Sequence, residues 1–204
     1  MVYCVDDFVA LLSVRQGSFA LVSWEHRPAM LAFLTNLKRT LRRTDRSLRV
    51  SLLNGENLNS DQFAEALHER LQQKSAGATV LVLYNLETLL DAAGRVLNGF
   101  REQMRCFRAV ILVIRENRRA DLFTACPDFV DWFGITVYRA EALSRPFTSS
   151  DIQRAIRSFE KKHGMSSKDF AREWGDGHVT DIDDGWMWNE LLALYRDMKA
   201  RAKP

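Results

Sequence analysis

Apolar residues recur along this chain with two different periods, and the alternation between them predicts the elements. In Thr79 to Ala93, TVLVLYNLETLLDAA, four aliphatics stand in a row, Val80, Leu81, Val82 and Leu83. Neighbouring residues of a strand face opposite sides, so both faces of this strand must be covered, as in the central parallel strands of an α/β domain. Phe107 to Ile114, FRAVILVI, reads the same way. Ser18 to Trp24, Leu48 to Asn54 and Ile135 to Arg139 complete a set of five strands.

Helical spacing fills the intervals. Val5, Phe8, Val9 and Leu12 predict a short helix over Asp6 to Val14 that caps the sheet, stopped by Gly17. Pro28 opens a helix to about Arg43, with Met30, Leu34, Leu37 and Leu41 as its buried stripe, and Asn59 or Ser60 caps the next, which buries Phe63, Leu67 and Leu71. The central strand runs straight into a helix carrying Leu86, Leu89, Leu90, Ala93, Val96, Leu97 and Phe100, and Glu116 to Ala125 is a further short helix. Such alternation implies a largely parallel sheet flanked by helices. After Pro146 only helices follow. Ser150 with Gln153 and Ser166 with Asp169 have capping-box spacing, and Asp183 or Asp184 caps a last helix with Trp188, Leu191, Leu192, Tyr195 and Met198 on its apolar side. The expected domains are residues 1–147, α/β, and 148–204, a helical appendage.

At 204 residues, 47% hydrophobic and 27% charged, the chain has enough material for one sizeable core with a small satellite. No apolar run reaches the roughly 20 residues a bilayer span needs, and the N-terminus MVYCVDDF carries acids where a signal peptide carries bases, so a cytoplasmic protein without membrane contact is expected. Cys4, Cys106 and Cys126 fit neither a disulfide framework nor a metal knuckle. The net charge of +3 is too small to make the whole molecule a polyanion binder. Its distribution is uneven: Lys38, Arg39, Arg42, Arg43, Arg46 and Arg49 crowd together as candidate phosphate or nucleic-acid contacts, with Arg115, Arg118 and Arg119 expected nearby at the strand ends.

Two segments carry a family resemblance. VLVLYNLETLLDAA, Val80 to Ala93, resembles the second phosphate-site motif of the STAND signal-transduction P-loop NTPases, typically LLVLDNxEHLLDAA, and ILVIRENRRADL, Ile111 to Leu122, resembles their next strand, commonly LVTSRExLRL. CPDFVDWFGITVYRAEAL is similar to the closing segment of that core, so the likeness spans roughly 18–143. The resemblance implies a phosphate-binding loop GxxxxGK[ST] after the first strand, whose N–H groups cradle phosphates, and a magnesium-holding carboxylate at the end of the third. The chain departs at both places: Ser23 to Met30 reads SWEHRPAM, and Tyr84 stands where the carboxylate belongs. Trp24, Glu25, His26, Tyr84, Asn85 and Glu87 are therefore the positions of a degenerate nucleotide site, with no catalytic residue and no cofactor. Glu87 lies where it would act as a replacement base, although a first-turn glutamate facing the helix dipole is the favoured reading.

FEKKHGMSSKDFAREWGDGHVTDIDDGWMWNELLALY, Phe159 to Tyr195, resembles the C-terminal motif of small bacterial antitoxin-like proteins, in which KxGMSSxEF precedes an acidic turn, a tryptophan and a closing helix. Asp181, Asp183 and Asp184 miss the register of a calcium loop, and His26, His68, His163 and His178 share no ligand spacing. Trp174, Trp186 and Trp188 are many for so short a tail, which makes them candidate contacts for a protein partner. The reading is a non-enzymatic pseudo-NTPase regulatory module that binds a protein partner in prokaryotic defence or toxin control. Its alternatives are nucleic-acid binding through the basic cluster at 38–49 and an unconventional nucleotide site.

Overall fold

The computed structural model describes residues 4–13, 16–73, 76–131, 137–175 and 182–201. The chain divides into two compact units, Met1–Arg145 and Pro146–Pro204.

The first unit contains α1 (Val5–Ser13), β1 (Ser18–Trp24), α2 (Arg27–Thr44), β2 (Arg49–Asn54), α3 (Ser60–Leu71), β3 (Thr79–Tyr84), α4 (Leu90–Phe100), β4 (Ala109–Arg115), α5 (Arg119–Ala125), α6 (Pro127–Val130), β5 (Val137–Arg139) and α7 (Ala140–Leu143). Its five strands form one sheet in the order β2-β3-β4-β1-β5, and every pairing is parallel. The expected α/β class with a helix-flanked parallel sheet is thus the observed architecture. All six residues of β3 are buried and so are Ala109 to Ile114 of β4, as strands covered on both faces require.

Strand order and helix placement follow from one rule. The connection from β1 travels toward β2, whereas those from β2, β3 and β4 travel the other way. Right-handed crossovers of opposite travel lie on opposite faces. Accordingly α2 packs with α1 and α7, where Phe8 sits edge-on to Phe33 at 5.7 Å and to Tyr138 of β5 at 5.0 Å. α3, α4, α5 and α6 pack with one another on the other face, over Leu81, Leu83, Val110, Leu112 and Ile114. There α4 and α5 approach so closely that a methyl on Gly94 would stand 2.3 Å from the carbonyl oxygen of Ala125.

Several local expectations change. β3 does not run straight into α4: Asn85 takes a left-handed φ of 54° and the chain turns through residues 85–89 before Leu90. Asparagine tolerates that conformation better than other side chains do. Glu116 to Ala125 splits into a 3₁₀ turn, Glu116–Arg118, and α5, after which Pro127 starts α6. Asn59, rather than Ser60, caps α3 in a reciprocal box with Gln62. Ile135 of the expected last strand lies outside the described residues.

Among the described residues the second unit contains α8 (Ser149–His163), α9 (Ser167–Gly175) and α10 (Ile182–Arg201). α8 is capped by Thr148 with Asp151, not by Ser150 with Gln153, and Gly164 ends it in the left-handed region at φ 61°. At the start of α9 Ser166 Oγ accepts from the Asp169 N–H, the first half of the expected box, while its hydroxyl donates to the Asp169 carboxylate. Asp183 and Asp184 lie inside the first turn of α10 and not at its cap. At the centre is Trp188, 1% exposed, stacked 4.1 Å from Phe170 and 5.9 Å from Phe159, with its indole N–H donating to Ser167 Oγ at 3.3 Å. Met187, Leu191 and Leu194 are buried beside it, so the apolar side of α10 is rotated from the one expected, with Leu192 and Tyr195 half-buried.

Candidate functional site

Parallel strands bring the loops after β1, β2, β3, β4 and β5 to one edge of the sheet. An open sheet has its crevice there, between neighbouring strands whose connections leave in opposite directions. In this sheet those neighbours are β1 and β4. Their last paired residues are Trp24 and Arg115. The Arg115 guanidinium lies over the Trp24 ring, 4.8 Å from its centroid, and Trp24 is buried beneath it. A cation on an aromatic face is attracted by the ring quadrupole, so this pair roofs the crevice. The Trp24 indole nitrogen is buried and has no hydrogen-bond partner among the described residues.

The loop from β1 into α2 is where backbone N–H groups would face a phosphate. His26 is the N-cap residue of α2, with extended φ and ψ and no side-chain cap of its own, and Pro28 supplies no donor. The N–H groups of Glu25 and His26 instead donate to one oxygen of Glu141, at 2.8 and 3.1 Å. Glu141 belongs to α7, directly after β5, and β5 is the neighbour of β1. Arg139, the last residue of β5, pairs with the Glu25 carboxylate. An internal anion and an internal cation thus occupy the loop. The arrangement suits the positive end of the α2 dipole, which favours a carboxylate there.

On the other side, the phenol-bearing Tyr84 ends β3 and is 1% exposed, so no carboxylate and no open ligand position is offered at its place. Glu87 is not in the first turn of α4, which begins at Leu90. Its carboxylate accepts from the backbone N–H of Arg115 at 3.0 Å, tying the β3–α4 connection to the end of β4. Asn85 donates to Glu56 at 3.5 Å, and Glu56 lies 3.9 Å from Arg27 at the start of α2. Of the six positions expected to form a degenerate nucleotide site, all lie at this edge, and Glu25, His26, Asn85 and Glu87 are held by partners within the protein. Thr88, Asp91, Arg118, Asp121 and Thr124 line a recess of about 450 Å³ beside Glu87. Among the described residues no group of three His, Cys, Asp or Glu side chains could hold a metal ion.

No protein-family model and no curated protein matches the sequence. Solved structures to which the chain is similar include the crystal structure of Cdc6p from Pyrobaculum aerophilum, 16% identical, covering 73% of this chain and 45% of that one with a TM-score of 0.43, and the Aeropyrum pernix Orc1 protein in complex with DNA, 12% identical, covering 69% and 43% with a TM-score of 0.36. This chain spans less than half the length of either.

The remaining candidates lie elsewhere. Arg39, Arg42, Arg43, Arg46 and Arg49 are exposed and Lys38 is half-buried. They sit at the end of α2 and the start of β2, the opposite edge of the sheet from Arg115, so the expected grouping with Arg115, Arg118 and Arg119 does not form. Arg118 pairs with Asp121 at 2.6 Å and Arg119 with Glu116 at 2.9 Å. Trp188 is a core residue of the second unit and has no face left for a partner. Trp174 is half-buried, 5.7 Å from Phe170, and the side chain of Trp186 lies outside the described residues. Sequence reasoning missed Arg139 and Glu141. No motif marks them; their only signal is a basic and an acidic residue two apart behind the last strand, which gains meaning once β5 is known to lie beside β1.

Proposed function

We propose that this protein is a non-enzymatic regulatory module, a P-loop-NTPase-like core of the degenerate STAND type whose nucleotide site is closed from within, joined to a helical tail that engages a protein partner. The observation that carries the reading is the Glu141 carboxylate on the N–H groups of Glu25 and His26. Those donors are the ones a phosphate would need, and a charged acceptor already satisfies both. A nucleotide would have to displace Glu141, separate Arg139 from Glu25 and lift Arg115 from Trp24, with no lysine in the loop and no carboxylate at Tyr84 to hold magnesium. The proposed setting, prokaryotic defence or toxin control, comes from the resemblance of the core and tail sequences. Within the tail, half-buried Trp174 on α9 is the aromatic we assign to the partner contact.

Melting curves with and without millimolar Mg-ATP or Mg-GTP test the closed site. A ligand at a hundred times its Kd stabilises the native state by about 2.7 kcal/mol, several degrees for a chain of this length. We expect no shift and no hydrolysis above buffer. A magnesium-dependent shift that is abolished in Glu87→Ala would establish an unconventional nucleotide site in place of the closed one.

A further inference from the structure

We propose that the edge of the sheet opposite the closed site is a sequence-independent binding surface for the phosphate backbone of duplex nucleic acid. Within residues 38–49 stand one lysine and five arginines against a single acid, Asp45. Asp6 on α1 pairs with Arg43, and Asp45 is turned onto its own loop, accepting from the Ser47 N–H at 2.8 Å and the Ser47 hydroxyl at 2.6 Å. Arg39, Arg42, Arg46 and Arg49 are exposed, and their guanidinium groups take part in no ion pair or hydrogen bond among the described residues. Arg39 and Arg42 stand one turn apart on the outer side of α2, Arg46 occupies the following turn, and Arg49 begins β2, an edge strand. The C-terminal end of α2 carries about half a negative charge, which opposes an anion. Four unpaired guanidinium groups outnumber that half-charge about eightfold, so the surface is an anion site on balance.

Two observations choose the occupant. The apolar residues of α2, Met30, Leu31, Phe33, Leu34, Leu37 and Leu41, all face the core, which leaves nothing on the outer side to insert into a membrane. The exposed large apolar side chains among the described residues are Leu11 on α1 and Phe123 on α5, so among the described residues this edge presents no exposed ring on which unpaired bases would stack. What remains is planar, bidentate donors suited to phosphate oxygens. Recognition of this kind reads the backbone and not the base edges.

Fluorescence anisotropy of a labelled 20-base-pair DNA duplex of arbitrary sequence tests the proposal on the full chain. Four phosphate contacts give a slope of about −3.6 for the logarithm of the association constant against that of salt, hence about a 150-fold loss between 50 and 200 mM. Micromolar binding with that slope is expected, unchanged by scrambling the sequence. Replacing Arg39, Arg42, Arg46 and Arg49 together by Ala should weaken it at least 30-fold with an unaltered melting temperature, while the same four changed to Lys should retain the slope. A slope shallower than about −1.5 overturns the proposal, as does full binding by the Ala variant. So does tighter association with phosphatidylserine vesicles than with duplex at equal phosphate, which would make the surface a lipid contact. Neither result touches the closed nucleotide site at the other edge.

Discussion

Replacing Glu141 by Ala removes the acceptor of two backbone N–H groups at the mouth of α2, and the structure sets the size of the effect. Hydrogen bonds to a charged group are worth about 1.5–3 kcal/mol each, or about 3–6 for the pair. Against this, the second carboxylate oxygen of Glu141 is buried and has no partner among the described residues, a cost of about 1–3 kcal/mol that the substitution relieves. The loop is also exposed, so water replaces part of what is lost. The balance is a destabilisation of about 2 kcal/mol, the upper range for loss of a helix N-cap. At this chain length the melting temperature should fall by about 4–8 °C. Glu141→Gln keeps an acceptor oxygen without the charge and should lose about half as much. Urea unfolding followed by circular dichroism gives both values, and soaking the Ala variant with phosphate asks whether the freed donors now accept an anion. If Glu141→Ala is as stable as the parent protein, the carboxylate does not secure the loop and does not close the site.

Two further outcomes follow from packing. Gly94→Ala would gain about 1 kcal/mol of helix propensity in α4, but its methyl would meet the backbone oxygen of Ala125 at 2.3 Å, and forcing the two helices apart costs up to about 3 kcal/mol; a net loss of about 2 kcal/mol of stability, read as a lower urea midpoint, is expected, and an unchanged midpoint would refute the close approach. Burial pushes the Cys126 thiol up to about 12, and its S–H donates to the Leu122 carbonyl at 3.2 Å. A thiol reagent at pH 8 should therefore label Cys4 and Cys106 in the native protein and reach Cys126 only in denaturant. The unfolded thiol ionises near about 8.5, so the stability this cysteine contributes is complete below that pH and declines as pH rises toward the folded value. Three thiols reacting at one rate in the native protein would contradict this.

The strands were legible because their signal is local: a strand buried on both faces must be apolar without interruption, and β3 and β4 are. The same logic gave the buried stripe of α2 and, through Pro28, its start. Boundaries set by competing caps were less legible. Thr148 and Ser150 both precede a residue three positions on that can reciprocate, Asp151 or Gln153, and geometry alone decided for the first. The site was half legible. Missing glycines, lysine and carboxylate can be seen in SWEHRPAM and at Tyr84, but the group that fills the resulting space, Glu141, is 115 residues from His26 along the chain and adjacent only through strand order. The basic cluster failed in the same way, since sequence gives the charges of residues 38–49 and 115–119 but not which ends of the strands they occupy.

The strand order also fixes what a growing chain can do. β1 is bonded only to β4 and β5, and its first partner residue, Ala109, follows Ser18 by 91 positions (109 − 18). At about 5–20 residues per second, a ribosome needs about 5–18 s to travel from Ser18 to that partner. Throughout that interval the strand meant for the middle of the sheet has both edges unpaired, and Phe19, Ala20, Leu21 and Val22 have no finished layer to cover them. β2 and β3 are registered with each other 30 positions apart, from Arg49 to Thr79, and can pair well before then. Newly made chains will therefore first hold a two-stranded fragment with an orphan apolar segment upstream of it, and that segment is where a nascent-chain chaperone should be found bound.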